Sequence, residues 1–233
     1  MHLVFSRHRT SHGSALPYPC PTGRFWQRSD GFVAPEGEFR IAAARTADEH
    51  RAAAALVRRM YHWRGYHVDQ AGPVLDPPDR LTLVAWHEDE AVATLTLRRD
   101  TPTGLLCEAL YAAEVASLRQ EGNLLCEVTR LAVDSDFSSR QLLGALFRTA
   151  HHQARERFAA TDAVIEVNPR HANFYQREFR FSRLGKLRQC PRVGAPAVLL
   201  HRKINTLALP VVPRMPARRQ EPDLAVFATA IGA

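Results

Sequence analysis

Hydrophobic positions follow two periods along this chain. "EFRIAAA" reads as a strand ending near Ala44. "TADEHRAAAALVRRMYHWRGY" reads as a helix, with Thr46 placed to cap it, Glu49 three residues on as in a capping box, and Leu56, Met60 and Trp63 on one face. "RLTLVAW" and "AVATLTLRR" are strands joined by the acidic turn "HEDE", the pattern of a hairpin. A helix over residues 105–120 and a strand from Leu124 to Val133 come next. An amphipathic helix from Ser139 to Phe158 then lines up Leu143, Phe147, Ala150, Ala154 and Phe158. "AVIEVNP" predicts another strand, "HANFYQREF" a short helix and "APAVLLHRKI" a last strand.

One stretch breaks the pattern. In "LLCEVTRLAVDSDFSSRQLLGALF", residues 124–147, Glu127 and Arg130 interrupt an apolar run that otherwise reads as a strand buried on both faces. Charges buried there cost several kcal/mol unless they are paired or used. Residues three apart on an unbroken strand point to opposite faces. A one-residue bulge between them would turn both toward one cleft and free backbone N–H groups to polarise a carbonyl. A buried Glu also has a raised pKa, which suits a general base that must take a proton from an amine. The competing reading is a structural ion pair between strands.

The flanks differ in composition. Residues 1–37 hold four prolines and many Ser, Arg and Gly and read as an irregular N-terminal arm, residues 38–204 as the folded domain, and residues 205–233 as a Pro/Arg-rich extension. No apolar run approaches the roughly 18 residues of a membrane span. The start "MHLVFSRHRTSHG" lacks the pattern of a signal peptide, so a cytoplasmic location is expected. The four cysteines (Cys20, Cys107, Cys126, Cys190) are widely spaced, and His62, His67, His151 and His152 pair with no carboxylate at ligand spacing, so no metal is expected. A net charge of +7 favours an acidic partner: a carrier protein, an anionic cofactor or, less favoured because the charge is spread out, nucleic acid.

Two further segments carry candidate chemistry. Ser138 and Ser139 are good helix caps, Arg140 adds charge and Gly144 permits close approach, so this helix start is either a site for the phosphate of a pantetheine arm or an ordinary capped helix. Tyr175 in "NPRHANFYQREFRF" is either a proton donor to a leaving thiolate or a core tyrosine.

The order of elements, "LAVDSDFSSRQLLGALF" and "NPRHANFYQREFRF" resemble the GNAT acyl-CoA N-acyltransferase fold, an α/β (α+β) domain with a central mixed, twisted sheet flanked by helices. Ser139, Leu142 and Gly144 stand where that fold's phosphate loop commonly reads R/Q-x-x-G-x-G/A, and Arg180 stands where a Gly commonly precedes the last Phe. Residues 92–134 resemble, more narrowly, the FeeM-like N-acyl amino acid synthases, relatives of the acyl-homoserine lactone (autoinducer) synthases. These families share an E-x-[ST]-R element, matched by Glu127, Thr129 and Arg130. Thr96 stands where the lactone synthases often carry an Arg.

The resemblance implies transfer of a fatty acyl group from an acyl carrier protein (acyl-ACP, through its phosphopantetheine) or from acyl-CoA, as co-substrate rather than tightly bound cofactor, to the amine of an amino acid. It implies Glu127 as base, Tyr175 as acid, and Arg130, Thr129, Tyr61 and Trp63 on the substrate side. Ala132, Val133 and Asp134 would serve the oxyanion, and Ser138, Ser139, Arg140 and Gly144 the phosphate. Arg98 and Arg99 are further candidates for the carrier surface. The alternatives are an acetyl-CoA-dependent N-acetyltransferase, a lactone synthase, and a basic adaptor that binds nucleic acid or protein.

Overall fold

The capping box at Thr46 forms as the sequence predicts: the Glu49 amide donates to Thr46 Oγ1 at 3.2 Å, and the Thr46 amide donates to the Glu49 carboxylate at 3.0 Å. It opens α1 (Ala47–Trp63), which follows the edge strand β1 (Arg40–Ala43). A computed structural model describes residues 39–66 and 75–204; the two predicted arms, Cys20 and His67 lie outside the described residues.

The remaining elements are β2 (Arg80–His87), β3 (Glu90–Arg99), α2 (Glu108–Gln120), β4 (Leu125–Val133), a 3-10 turn (Ser135–Phe137), α3 (Arg140–Phe158), β5 (Asp162–Val167), α4 (Pro169–Phe179), β6 (Ser182–Arg183), β7 (Arg188–Cys190) and β8 (Ala195–Lys203). The sheet runs β1-β2-β3-β4-β5-β8-β6, with β7 also paired to β8. Every pairing is antiparallel except β4 with β5. The predicted order of strands and helices is therefore the observed one, with the short β6 and β7 added.

Helices cover both faces. The predicted stripe of α3 (Leu143, Phe147, Ala150, Ala154, Phe158) packs with Ala172, Tyr175 and Phe179 of α4 against Leu95, Leu97, Cys126 and Val128 of the sheet. On the opposite face α1 contributes Leu56, Val57, Met60 and Tyr61, which pack against Ala132 of β4 and Ala195 and Ala197 of β8. Beside it, Tyr111, Val115 and Leu118 of α2 pack on Leu125, Val164 and Leu199.

One face assignment is corrected. Trp63 does not share the buried stripe of Leu56 and Met60: it is 57% exposed, with the Arg64 guanidinium 4.6 Å from its ring centre. Tyr61 and Val57 complete the stripe instead. Trp63 is the last residue of α1, and no further turn of helix carries the stripe over it.

Candidate active site

β4 runs beside β3 in one register from Cys126 to Thr129 and in another from Ala132 to Val133. Thr94 and Thr96 face Ala132 and Thr129, so β4 holds one more residue than β3 across this interval: a β-bulge. Arg130 takes the left-handed conformation there, with φ +50°. This is the bulge that the charge pattern calls for, and it turns both charges toward the face covered by α1 and α2. Arg130 has Tyr61, Arg80 and Asp76 as its electrostatic neighbours. Glu127 meets the loop before α2.

The two charges do not serve each other, however. The Glu127 carboxylate accepts from the Leu106 amide at 2.8 Å and the Cys107 amide at 2.9 Å, and its charged neighbour is Glu166. Glu127 is fully buried. Burial raises its pKa to about 7, against the two amides, which lower it; Glu166 adds to the rise.

Sequence reasoning missed the second half of this cluster. Glu166 lies on β5, two residues beyond Val164, the register partner of Glu127, so both carboxylates lie on the same face. Arg192 donates to Glu166 at 3.2 Å and to the Leu106 carbonyl at 2.7 Å. Leu106 thus holds Glu127 through its N–H and Arg192 through its C=O, tying both carboxylates into one ring of contacts. Glu166 carried the same signal as Glu127, a charge inside an apolar run ("AVIEVNP"). Arg192, between β7 and β8, carried none.

β4 and β5 part beyond this point. Their ladder runs from Leu125 and Asp162 to Val128 and Ile165, then stops, although β4 continues to Val133 and β5 to Val167. The predicted oxyanion residues Ala132 and Val133 lie on the parting segment. Tyr61 reaches it from α1, its hydroxyl donating to the Leu131 carbonyl at 3.5 Å, and Asn168 Nδ2 donates to the Tyr66 hydroxyl at 3.4 Å. Burial holds the Tyr61 phenol above its ordinary pKa. Tyr175 is fully buried, edge-on to Phe147, Phe174 and Phe181; burial, then Tyr61, hold its phenol protonated well above the ordinary range.

The other predicted residues fall along the same strand and the helix after it. Thr129 donates to the Thr96 carbonyl at 3.3 Å. Asp134 caps the 3-10 turn and pairs with Arg59. Ser139 caps α3 by accepting from the Leu142 amide at 3.1 Å, Gly144 is buried in its second turn, and Arg140 lies 3.7 Å from Glu178. The Ser138 Oγ is buried and has no hydrogen-bond partner. Arg98 does not join Arg99 on the outside: it sits directly opposite Glu127 in the β3–β4 register, so the two share a face.

Comparison with known proteins bears on the family and the fold. The model of the family described as N-acyl amino acid synthase FeeM matches residues 52–203. Among solved structures, FeeM, an N-acyl amino acid synthase from uncultured soil microbes, superposes with a TM-score of 0.64 at 26% identity, covering 71% of this chain and 92% of that one. ElaA of Escherichia coli superposes with a TM-score of 0.52 at 14% identity, covering 71% and 99%. The AHL synthase LasI superposes with a TM-score of 0.50 at 12% identity, covering 72% and 92%. These last two likenesses bear on the fold alone. No curated protein matches the sequence.

Proposed function

The chain belongs to the FeeM family of N-acyl amino acid synthases, enzymes that transfer an acyl group to the amine of an amino acid, and from that premise we propose how its residues divide the work. The observation that carries the proposal is the bulge at Arg130 next to the parting of β4 and β5. It gives one strand a carboxylate on the acceptor side and unladdered backbone on the donor side.

The acyl thioester lies in the gap between the strands. Leu131 and Val133 of β4 and Val167 of β5 belong, with Ala172 and Tyr175, to the main apolar core, so a fatty chain entering between the strands would meet apolar side chains. The acceptor's ammonium gives its proton to Glu127, directly or through a water, and its nitrogen attacks the thioester carbonyl. The Asp134 amide donates to the Val92 carbonyl of β3 at 2.8 Å. Amides alternate along a strand, so of the three expected residues it is Val133 whose N–H faces the parting and holds the oxyanion while the C–N bond forms. The C–S bond then breaks: Tyr175, kept neutral by burial, gives its proton to the leaving thiolate and takes in its place the second proton of the acceptor nitrogen, which leaves as the amide forms. Arg130, Thr129, Tyr61 and Trp63 border the acceptor.

The donor is an acyl carrier protein. The start of α3 has its Leu142 amide engaged by Ser139 and a single glycine, Gly144, in the following turn. That suits the one phosphate of phosphopantetheine, met by Ser138, Ser139 and Arg140, better than the pyrophosphate of CoA. The net charge of +7 favours an acidic carrier.

Mass spectrometry of lipid extracts from cells overproducing the chain tests the reading. A new N-acyl amino acid is expected and names acceptor and chain length together. Glu127→Gln is expected to abolish that product while remaining folded by circular dichroism; undiminished product from the variant would remove Glu127 from the chemistry.

A further inference from the structure

Arg98 is a charged residue of the site's central strands that the proposed chemistry leaves unused. It lies in β3 with Glu127 as its register partner on one side and Arg80 as its partner on the other. Facing residues on neighbouring strands point the same way, so Arg80, Arg98 and Glu127 form a row across three strands. The next row is Thr82, Thr96 and Thr129. Thr82 and Thr96 share a hydrogen bond at 3.1 Å, and Thr129 donates to the Thr96 carbonyl. Asp76 belongs to this patch, accepting from the Thr82 amide and hydroxyl. Arg130 joins it from the bulge, with Arg80 and Asp76 as neighbours.

Among the described residues the two carboxylates of the patch are both engaged, Asp76 by Thr82 and Glu127 by the Leu106 and Cys107 amides. Arg98 makes no ion pair with any described residue, and its Nε is shut off from solvent with no hydrogen-bond partner. An Nε–H shut off from water with no acceptor is costly, and an anion that enters beside it recovers that cost through paired, charge-assisted bonds.

We propose that Arg98, seconded by Arg80, binds the carboxylate of the acceptor amino acid and is the residue that makes the enzyme choose amino acids over simple amines. This rests on the reading above that Glu127 receives the acceptor's ammonium proton. An α-amino acid carries its ammonium and carboxylate on one carbon, and Glu127 and Arg98 stand side by side on adjacent strands to meet them. An amine without the carboxylate leaves the half-buried Arg98 with its Nε unpaired, which is how a polar site rejects an analogue lacking the matching group.

A competition assay tests this. The purified full chain is given dodecanoyl carrier protein or dodecanoyl-CoA and an equimolar mixture of the twenty standard amino acids with the amine each yields on decarboxylation. Mass spectrometry reads the ratio of N-acyl amino acids to N-acyl amines. Wild type is expected to favour amino acids by on the order of 100-fold. Arg98→Gln is expected to collapse that preference, losing amino acid product far more than amine product, and Arg98→Lys to restore part of it. A purely structural role would lower both products together and leave the ratio unmoved, which would overturn the proposal. A ratio near one in wild type would overturn it too. An enzyme that acylates amines but no amino acid, or nothing at all, would instead remove the acceptor reading on which the proposal rests, and the proposal with it.

Discussion

Glu127 is held by two amides and shadowed by a second carboxylate, and these act in opposite directions on its proton. Burial and Glu166 favour the neutral acid, the Leu106 and Cys107 amides the anion, and the result is a pKa near 7. The form that accepts a proton from the acceptor is the anion, so kcat/KM is expected to rise with pH through about 7. Stability runs the other way. The folded state holds this proton more tightly than an ordinary carboxyl titrating at 4.5, so the Glu127 contribution weakens as pH climbs from about 4.5 to about 7. In Glu166→Gln the negative neighbour is gone while Arg192 keeps its charge. The rising limb is then expected to move to lower pH by on the order of one unit, measured as a pH–rate profile. A limb that stays put would mean Glu166 only holds the fold. Of this cluster, Glu127 was read as a charge inside an apolar run, whereas Glu166, which bears the same mark, was missed. Arg192 and the Leu106 peptide were not legible, because a loop residue and a backbone group leave no periodic trace.

At the scale of elements, local chemistry set most boundaries and long-range contacts set the rest. The Thr46–Glu49 box and the Ser139 cap were legible because both ends of each contact lie within one helical turn. The strands β6 and β7 were not. They have two and three residues, and β8 supplies their pairing. The bulge in β4 could be inferred from where charges fall, since only an extra residue lets Glu127 and Arg130 share a face. That each would have its own partners could not, because those partners come from α1, β2, β5 and the loop before α2. The end of α4 offers a test of element energetics. Arg180 closes it with φ +57°, where the GNAT fold commonly has glycine. A side chain in that conformation costs roughly 1 kcal/mol that glycine avoids. Arg180→Gly is therefore expected to raise the melting temperature by a few degrees; an unchanged or lower one would show that the arginine contributes contacts worth as much.

At the scale of the whole molecule, positive charge is distributed along the sequence rather than held in one block. No helix among the described residues is long and apolar enough to cross a membrane, and the excess of +7 is spread over the chain. An acidic carrier protein feels that field over about 8 Å at physiological ionic strength, while a small amine does not depend on it. Raising the salt is accordingly expected to raise KM for the carrier-bound donor several-fold and to leave KM for the acceptor nearly level; a donor KM independent of salt would argue for a free CoA thioester. Net charge was readable from composition, but its meaning depends on the surface near the start of α3, which composition does not show.

The parting of β4 and β5 has a consequence outside catalysis. Two facing strand edges with unmatched amides are what aggregating chains pair through, and here they are recessed inside the molecule, with the Asn168–Tyr66 contact at the end of β5. A thioester arm built on peptide-like amides matches the same edges. Recessed edges of this kind are open to a slender arm but closed to the strand of another chain, so the parting offers backbone hydrogen bonds to a ligand without offering them to aggregation.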